Sequence, residues 1–158
     1  MAQRRIAVQY GHRQARKPDL KVNAAAAPLP VLSDPDTAGF WLAAQLGEVA
    51  VCACANCGHV LHLPRSYCHI CRSWTVEWKP VAPRACLVSW TVVEHQVHPA
   101  FPVPYTLVLV ELDEAPGVRL AGYLEGRPDL RAGLPMRADF VAPADGVTLV
   151  NWIPDGLR

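Results

Sequence analysis

Residues 52–71 read CACANCGHVLHLPRSYCHIC and hold five of the six cysteines in the chain. Two C-x2-C pairs, Cys54/Cys57 and Cys68/Cys71, stand ten residues apart. The turn of each pair directs both sulfurs towards one point, and two pairs joined by a hairpin give the four-thiolate set typical of structural Zn2+. Gly58 suits a tight turn after the first pair because glycine adopts positive φ. The segment therefore predicts a structural metal site, with iron as the alternative ion.

Other chemistries fit this cysteine pattern less well. A catalytic zinc keeps one position open for water, whereas four thiolates close the shell. A thioredoxin-type C-x2-C belongs in a βαβ setting, and the flanking sequence shows none. Disulfides conflict with the cytoplasmic location expected below, where thiols stay reduced.

The remaining cysteines and nearby histidines are predicted to be non-ligands. Cys52 shares a strand face with Cys54 and is assigned to the core as a small residue. Cys86, at the start of a later strand, is also assigned to the core. Because four thiolates complete the shell, three histidines are predicted to lie around the site without binding the ion: His59, His62 and His69.

The composition favours a packed globular protein without a strong overall electrostatic field. The 158 residues are 51% hydrophobic and 18% charged, with a net charge of +1. Residues 1–30 carry six basic residues against one acidic residue, whereas residues 84–158 carry six against nine. No window has the roughly 20 apolar residues of a spanning helix, and the N-terminus lacks the apolar region of a secretory signal. The expected location is cytoplasmic.

Three parts are predicted along the chain. Residues 1–32 are expected to be a flexible basic tail, residues 33–80 a helix plus the cysteine ribbon, and residues 81–158 a β domain. The helix is predicted over 33–47, with Asp34 as its N-cap and Gly47 as its left-handed end. The helix is uncharged between 37 and 47 and apolar on two sides, so it needs cover on both, from its own domain or from a partner.

The second half of the chain predicts β structure throughout. Five short runs are rich in β-branched and aromatic residues and are separated by turn sequences: CLVSWTVVE, YTLVLVEL, VRLAGYL, MRADFV and VTLVNWI. Five strands in roughly 75 residues fit a small closed barrel, of which the OB-fold is the common five-stranded form. A small β-sandwich is the alternative.

No independent catalytic centre is predicted. The nucleophile-elbow, phosphate-loop, dinucleotide and HExxH motifs are all missing. Glu94, His95 and His98 are acid–base candidates beside Ser89, but one strand and its loop do not place them in triad geometry.

The order of motifs resembles the DUF35 family, a rubredoxin-like zinc ribbon joined to an OB-fold. The resemblance rests on C-x2-C-G, LPR, C-x2-C-x-S-W, VSWTVVEH, a PY that opens the next strand, and GVRLAGYLEG, and it covers about residues 36–154. Pro83-Arg84-Ala85 departs from the family's G-x-G. The family's metal positions fall on four residues: Cys54, Cys57, Cys68 and Cys71.

The resemblance implies a non-catalytic accessory subunit of an acyl-CoA enzyme complex. The implied partner is a thiolase-like protein, in a heterotetramer, of the thiolase, acyltransferase or steroid side-chain aldolase type; a MaoC-type hydratase is the alternative partner. The partner would hold the catalytic residues. Arg65 and Arg72 are candidate contacts for CoA phosphates, though surface arginines are commonly just solvated.

Two further functions stay open. A free-standing acyl-CoA-binding protein would need no partner. A nucleic-acid-binding ribbon and OB-fold would need a basic groove lined by aromatic residues, and the negative charge of residues 84–158 argues against one. Neither a membrane nor a nucleic acid is an expected partner.

Overall fold

The computed structural model describes residues 27–156 as one short helix and seven strands. The helix is α1 (Ala38–Gln45), and the strands are β1 (Val49–Cys54), β2 (Val76–Val81), β3 (Arg84–Val93), β4 (Tyr105–Leu112), β5 (Arg119–Glu125), β6 (Pro135–Ala144) and β7 (Val147–Pro154). The predicted tail falls on residues 1–32, of which 1–26 lie outside the described residues. The mainly β fold predicted from the sequence is confirmed.

Helix α1 begins later than predicted. Asp34 is not its N-cap: the Asp34 carboxylate accepts a hydrogen bond from the Asp36 backbone at 2.9 Å, and Thr37 occupies the cap position. The aspartate therefore stabilises a turn that precedes the helix. The predicted end is confirmed, because Gly47 has φ 74° and its N–H donates to the carbonyl of Ala44.

The cysteine ribbon is a two-stranded antiparallel hairpin with a long excursion between its strands. β1 pairs with β2 from Val49 opposite Val81 to Cys54 opposite Val76. Every residue of β1 is buried, so one side of this strand faces the cysteine excursion and the other faces the rest of the molecule. The hairpin thereby brings both C-x2-C pairs to the end of the ribbon.

The five predicted strands of the second half form one antiparallel sheet, in the order β5-β4-β3-β6-β7. The two outer strands meet through a side chain instead of a ladder. The Asn151 amide, on β7, accepts from the Tyr123 N–H and donates to the Tyr123 carbonyl on β5, both at 2.5 Å. This contact closes the sheet into the five-stranded barrel expected of an OB-fold.

The main core belongs to the barrel and the ribbon together. Val49 and Val51 of β1 lie in one buried cluster with barrel residues such as Leu87 and Trp152. Helix α1 packs on the ribbon at Gly39, where the Trp78 indole takes the space of a side chain. The boundary predicted between residues 80 and 81 remains a prediction, and a shared core crosses it.

The helix was predicted to be apolar on two sides, and the described chain covers only one of them. Phe40 packs against the main core and Ala44 is fully buried. Leu42 and Leu46, on the other side, are each 41% exposed. No helix within residues 27–156 reaches the length and apolar character that a bilayer crossing requires.

Candidate metal centre

The two C-x2-C pairs fold into two turns with the same hydrogen bonds. In each turn the first cysteine's carbonyl accepts from the residue after the second cysteine: Gly58 donates to Cys54, and Arg72 donates to Cys68, both at 2.8 Å. The first cysteine's N–H in turn donates to a carbonyl five residues ahead, in both copies. The ribbon therefore presents its four sulfurs from two equivalent turns.

The equivalence extends to backbone conformation. Gly58 has φ 74°, as its predicted role requires, and Arg72, at the matching position of the second turn, has φ 61°. Arg72 is the only described residue besides glycine with positive φ. A side chain in this region costs about 1–2 kcal/mol, so the second turn is held in a conformation that arginine by itself disfavours.

The four cysteine sulfurs come together as one group. All four Sγ atoms lie within 4.8 Å of one another, with Cys54–Cys71 at 3.4 Å and Cys57–Cys68 at 3.7 Å. A tetrahedral ion with metal–sulfur bonds of about 2.3 Å places its sulfurs about 3.8 Å apart. The residues therefore fit a four-thiolate ion, and the four cysteines form a site that could hold a metal. That they are its ligands remains a prediction.

The electrostatics of the group also suit a cation. Hydrogen bonds from the Asn56 side chain and the Ser73 backbone lower the pKa of Cys71 to about 6. The His59 backbone lowers the pKa of Cys57, but desolvation and the neighbouring sulfurs outweigh it and raise that pKa to about 12. Four thiolates held this close repel one another, so full deprotonation of the group needs a positive ion among them.

The roles of two residues at this site, Asn56 and Ser73, were not predicted from the sequence. The Asn56 amide and the Ser73 carbonyl and hydroxyl act on the second turn: Ser73 accepts from the Cys68 N–H at 2.9 Å, and its Oγ accepts from the Thr75 N–H at 3.1 Å. Their signal is local, since Asn56 stands inside the first C-x2-C pair and Ser73 two residues after the second.

The two cysteines outside the sulfur group differ in burial: Cys52 is buried and Cys86 is exposed. Cys52 is 3% exposed, as predicted for a core residue, and lies outside the group of four sulfurs. Cys86 is exposed, so its predicted place in the core is wrong. The alternation of β3 explains this, because Ala85 and Leu87 point inwards and leave the residue between them on the outer face.

The three histidines do not join the sulfur group. His59 and His69 stack edge to face at 5.0 Å between ring centroids. The His62 Nε2 accepts from the Arg119 N–H at 3.3 Å. Their predicted placement outside the metal shell agrees with this geometry.

The aromatic residues of the ribbon differ in their burial and contacts. Trp78 packs on the cysteine cluster and on α1. Trp74 contacts Tyr67 at 4.8 Å between ring centroids but is 73% exposed. Arg65 and Arg72, the candidate phosphate contacts, are both exposed. Exposed Trp74, Arg65 and Arg72 thus give the cysteine segment an apolar and basic surface, which we call the tip of the ribbon.

The acid–base candidates of the β3–β4 loop are engaged elsewhere. The Glu94 carboxylate accepts from Arg127 at 2.7 Å, and His98 Nδ1 accepts from the Ala100 N–H at 3.2 Å. Ser89 is exposed on β3. Within residues 27–156, the hydrogen bonds of Glu94 and His98 thus go to Arg127 and Ala100 and not to one another.

A four-cysteine ribbon that shares its core with an OB-fold barrel defines the class of this protein. The sequence profile described as "ChsH2, C-terminal OB-fold domain" matches residues 78–141. A solved structure described as the Ltp2-ChsH2(DUF35) aldolase is 29% identical, with a TM-score of 0.71, and the match covers 79% of this chain and 98% of that one. A DUF35 protein of unknown function from Sulfolobus solfataricus shares the fold, at 16% identity and a TM-score of 0.50, over 75% of this chain and 87% of that one. These matches support the assignment of the chain to the DUF35 family.

Two curated relatives are longer proteins. The probable enoyl-CoA hydratase alpha subunit of Thermomonospora curvata is 34% identical over 118 residues, which is 73% of this chain and 36% of that protein. The 3-oxo-4,17-pregnadiene-20-carboxyl-CoA hydratase alpha subunit of Mycobacterium tuberculosis is 31% identical over 125 residues, 78% of this chain and 39% of that protein. The chain spans less than two fifths of the length of these relatives.

Proposed function

We propose that this protein is an accessory subunit of an acyl-CoA enzyme complex and that the catalytic residues lie on a thiolase-like partner, in a heterotetramer. The observation that carries this proposal is the match to the Ltp2-ChsH2(DUF35) aldolase, because it covers 98% of that chain. The chain therefore corresponds to nearly all of a DUF35 chain that is named together with a second protein. An acyl-CoA substrate is supported by the names of both hydratase relatives.

A hydratase partner is the second candidate. Two relatives above 30% identity are hydratase alpha subunits, and more than half of each lies outside the match. In this alternative the partner is a hydratase of the MaoC type. The two candidates differ in the partner and agree on the role of this chain.

The metal in this proposal is structural Zn2+. Four cysteines with sulfurs 3.4 and 3.7 Å apart across the site suit a closed shell, and a closed shell has no position for substrate. A bound structural zinc supplies about 10–16 kcal/mol of folding free energy. The chain's own cysteines hold the ion, and the ribbon around them presents its tip as a rigid surface.

That surface has the character of a protein contact. Leu63, Ile70 and Trp74 expose 70%, 60% and 73% of their area, although large apolar side chains are usually buried. Arg65 and Arg72 form no ion pair with any described residue. In the proposal the apolar side chains contact the partner, and the two arginines are free to meet phosphates of CoA.

Co-expression tests the proposal directly. The chain is produced with a thiolase-like protein of the same organism, and separately with a MaoC-type hydratase of that organism. Each pair is passed through size exclusion with light scattering. We expect one pair to elute as a single complex whose turnover of a CoA thioester exceeds that of the partner alone. Separate elution with a fully active partner contradicts the proposal.

Two cysteine variants serve as a matched pair in that experiment. Cys68→Ser removes a sulfur from the cluster, whereas Cys86→Ser alters an exposed thiol outside it. We expect the first to lose both metal and complex and the second to keep both. Equal behaviour of the two variants would show that the ribbon is not the platform for the partner.

A further inference from the structure

A cavity of about 150 Å3 lies where the helix, the ribbon and the barrel meet. Helix α1 contributes Phe40 and Trp41, β1 contributes Ala50, β2 contributes Trp78, and β5 contributes Leu120. The walls of the cavity therefore come from three parts of the fold. The cavity lies beyond the metal cluster and includes none of its four cysteines.

The lining is apolar and uncharged. It contains no aspartate, glutamate, lysine or arginine side chain. His62 lies in the lining, but its Nε2 already accepts from the Arg119 N–H. The Thr37 side chain makes no capping hydrogen bond. A charged ligand would find no partner here, and burying a charge without one is strongly unfavourable.

The cavity is partly open to solvent and large enough for a small ligand. An enclosed cavity of about 150 Å3 with aliphatic and aromatic walls binds benzene in another protein, and the open side here gives a ligand a way in. Here the lining includes Leu63, which is 70% exposed. The cavity therefore has an apolar side chain at the surface beside it, where a ligand can enter.

We propose that this cavity is a binding site for a compact neutral hydrocarbon group of about one ring or six carbons. The wall residues supply dispersion contacts that an empty cavity lacks. A carboxylate or ammonium group lacks a partner in the walls. The ligand bridges α1 and the barrel, so its binding stabilises the folded chain by mass action. This inference does not depend on the proposed function.

Benzene is the probe for the first experiment, with benzoate as its charged counterpart. Both are titrated into the metal-loaded full chain, and methyl signals of Val51, Leu61 and Leu120 are followed by NMR. We expect saturable shifts with benzene, a dissociation constant on the order of 1 mM or below, and nuclear Overhauser contacts between its protons and these methyls. Benzoate is expected to leave the signals unchanged. Absence of saturable shifts with benzene overturns the proposal.

Variants of the walls locate the binding. Ala50→Leu adds volume inside the cavity and is expected to abolish benzene binding. Thr37→Leu is the second variant, since its hydroxyl makes no capping hydrogen bond, and it is expected to weaken binding at least tenfold. Leu107→Ala, on a barrel strand outside the lining, is the matched control and should bind as the original chain does. Undiminished binding by a folded cavity variant contradicts the assigned site.

Discussion

Replacement of Gly39 by alanine tests how the helix meets the ribbon. A Cβ on Gly39 would lie 2.1 Å from Trp78 Cδ1 and 2.2 Å from its Nε1. Carbon atoms in contact prefer about 3.5–4.0 Å, so the helix and the indole would have to separate by about 1.5 Å. The obstacle is a rigid ring of a paired strand, which cannot move aside as a flexible chain end does.

The expected magnitude follows from two opposing terms. Alanine favours a helix over glycine by about 1 kcal/mol. Overpacking costs about 1–3 kcal/mol, and a tryptophan that loses its packing altogether costs about 3–5 kcal/mol. We therefore expect Gly39→Ala to lower the free energy of unfolding by roughly 2 kcal/mol, with a fall in Tm of about 4–8 °C for a chain of this size.

Urea denaturation at a constant excess of Zn2+ measures this change, because bound metal itself contributes to stability. A double-mutant cycle isolates the contact. In a Trp78→Ala background the indole is gone, so Gly39→Ala should change sign and stabilise the chain by about 1 kcal/mol. If Gly39→Ala is neutral or stabilising in the original chain, the close packing of helix on ribbon is refuted.

Three further predictions concern the turns, the barrel closure and the metal. Gly58→Ala should lower the free energy of unfolding by about 1 kcal/mol through backbone strain, whereas Arg72→Gly at the matching position should not lower it. The midpoints of urea denaturation compare the two variants. Equal losses of stability in both would contradict the equivalence of the turns. Asn151→Ala removes both hydrogen bonds to the Tyr123 backbone and should lower the free energy of unfolding by about 2 kcal/mol. Hydrogen-exchange protection should be lost first in β5. Unchanged protection in β5 would show that the barrel closes without Asn151. Metal affinity should rise with pH, because thiols must lose protons to bind. Competition with a chelator should therefore show weaker metal binding as the pH falls, and an affinity that does not change with pH would argue against thiolate ligands.

Local patterns in the sequence predicted most of the fold. The spacing of the C-x2-C pairs predicted a cluster of four sulfurs, and runs rich in β-branched and aromatic residues located all five barrel strands within a few positions. These signals are local, since a turn or a strand is specified by residues that are neighbours in the chain.

The errors arose where two local rules competed. Asp34 is a good cap residue, yet its side chain bonds the Asp36 backbone and forms a turn of its own. Cys86 has the composition of a core residue, but the register of β3 places it on the outer face. A shift of one position along a strand reverses the face, and the composition of a run does not fix that position.

The remaining features depend on contacts between distant residues. The closure through Asn151 joins positions 28 residues apart, and the packing of Trp78 on Gly39 joins the helix to a strand beyond the cysteine segment. The apolar cavity exists only where three elements meet. None of these has a signature within one window of sequence.

X-ray absorption at the zinc edge of the purified chain tests the central claim most directly, namely that four cysteines close the shell of one structural ion. The account predicts one zinc per chain with four sulfur neighbours at about 2.3 Å and no nitrogen or oxygen neighbour. A light atom in the first shell, or an ion that survives loss of Cys54 or Cys68, would contradict it.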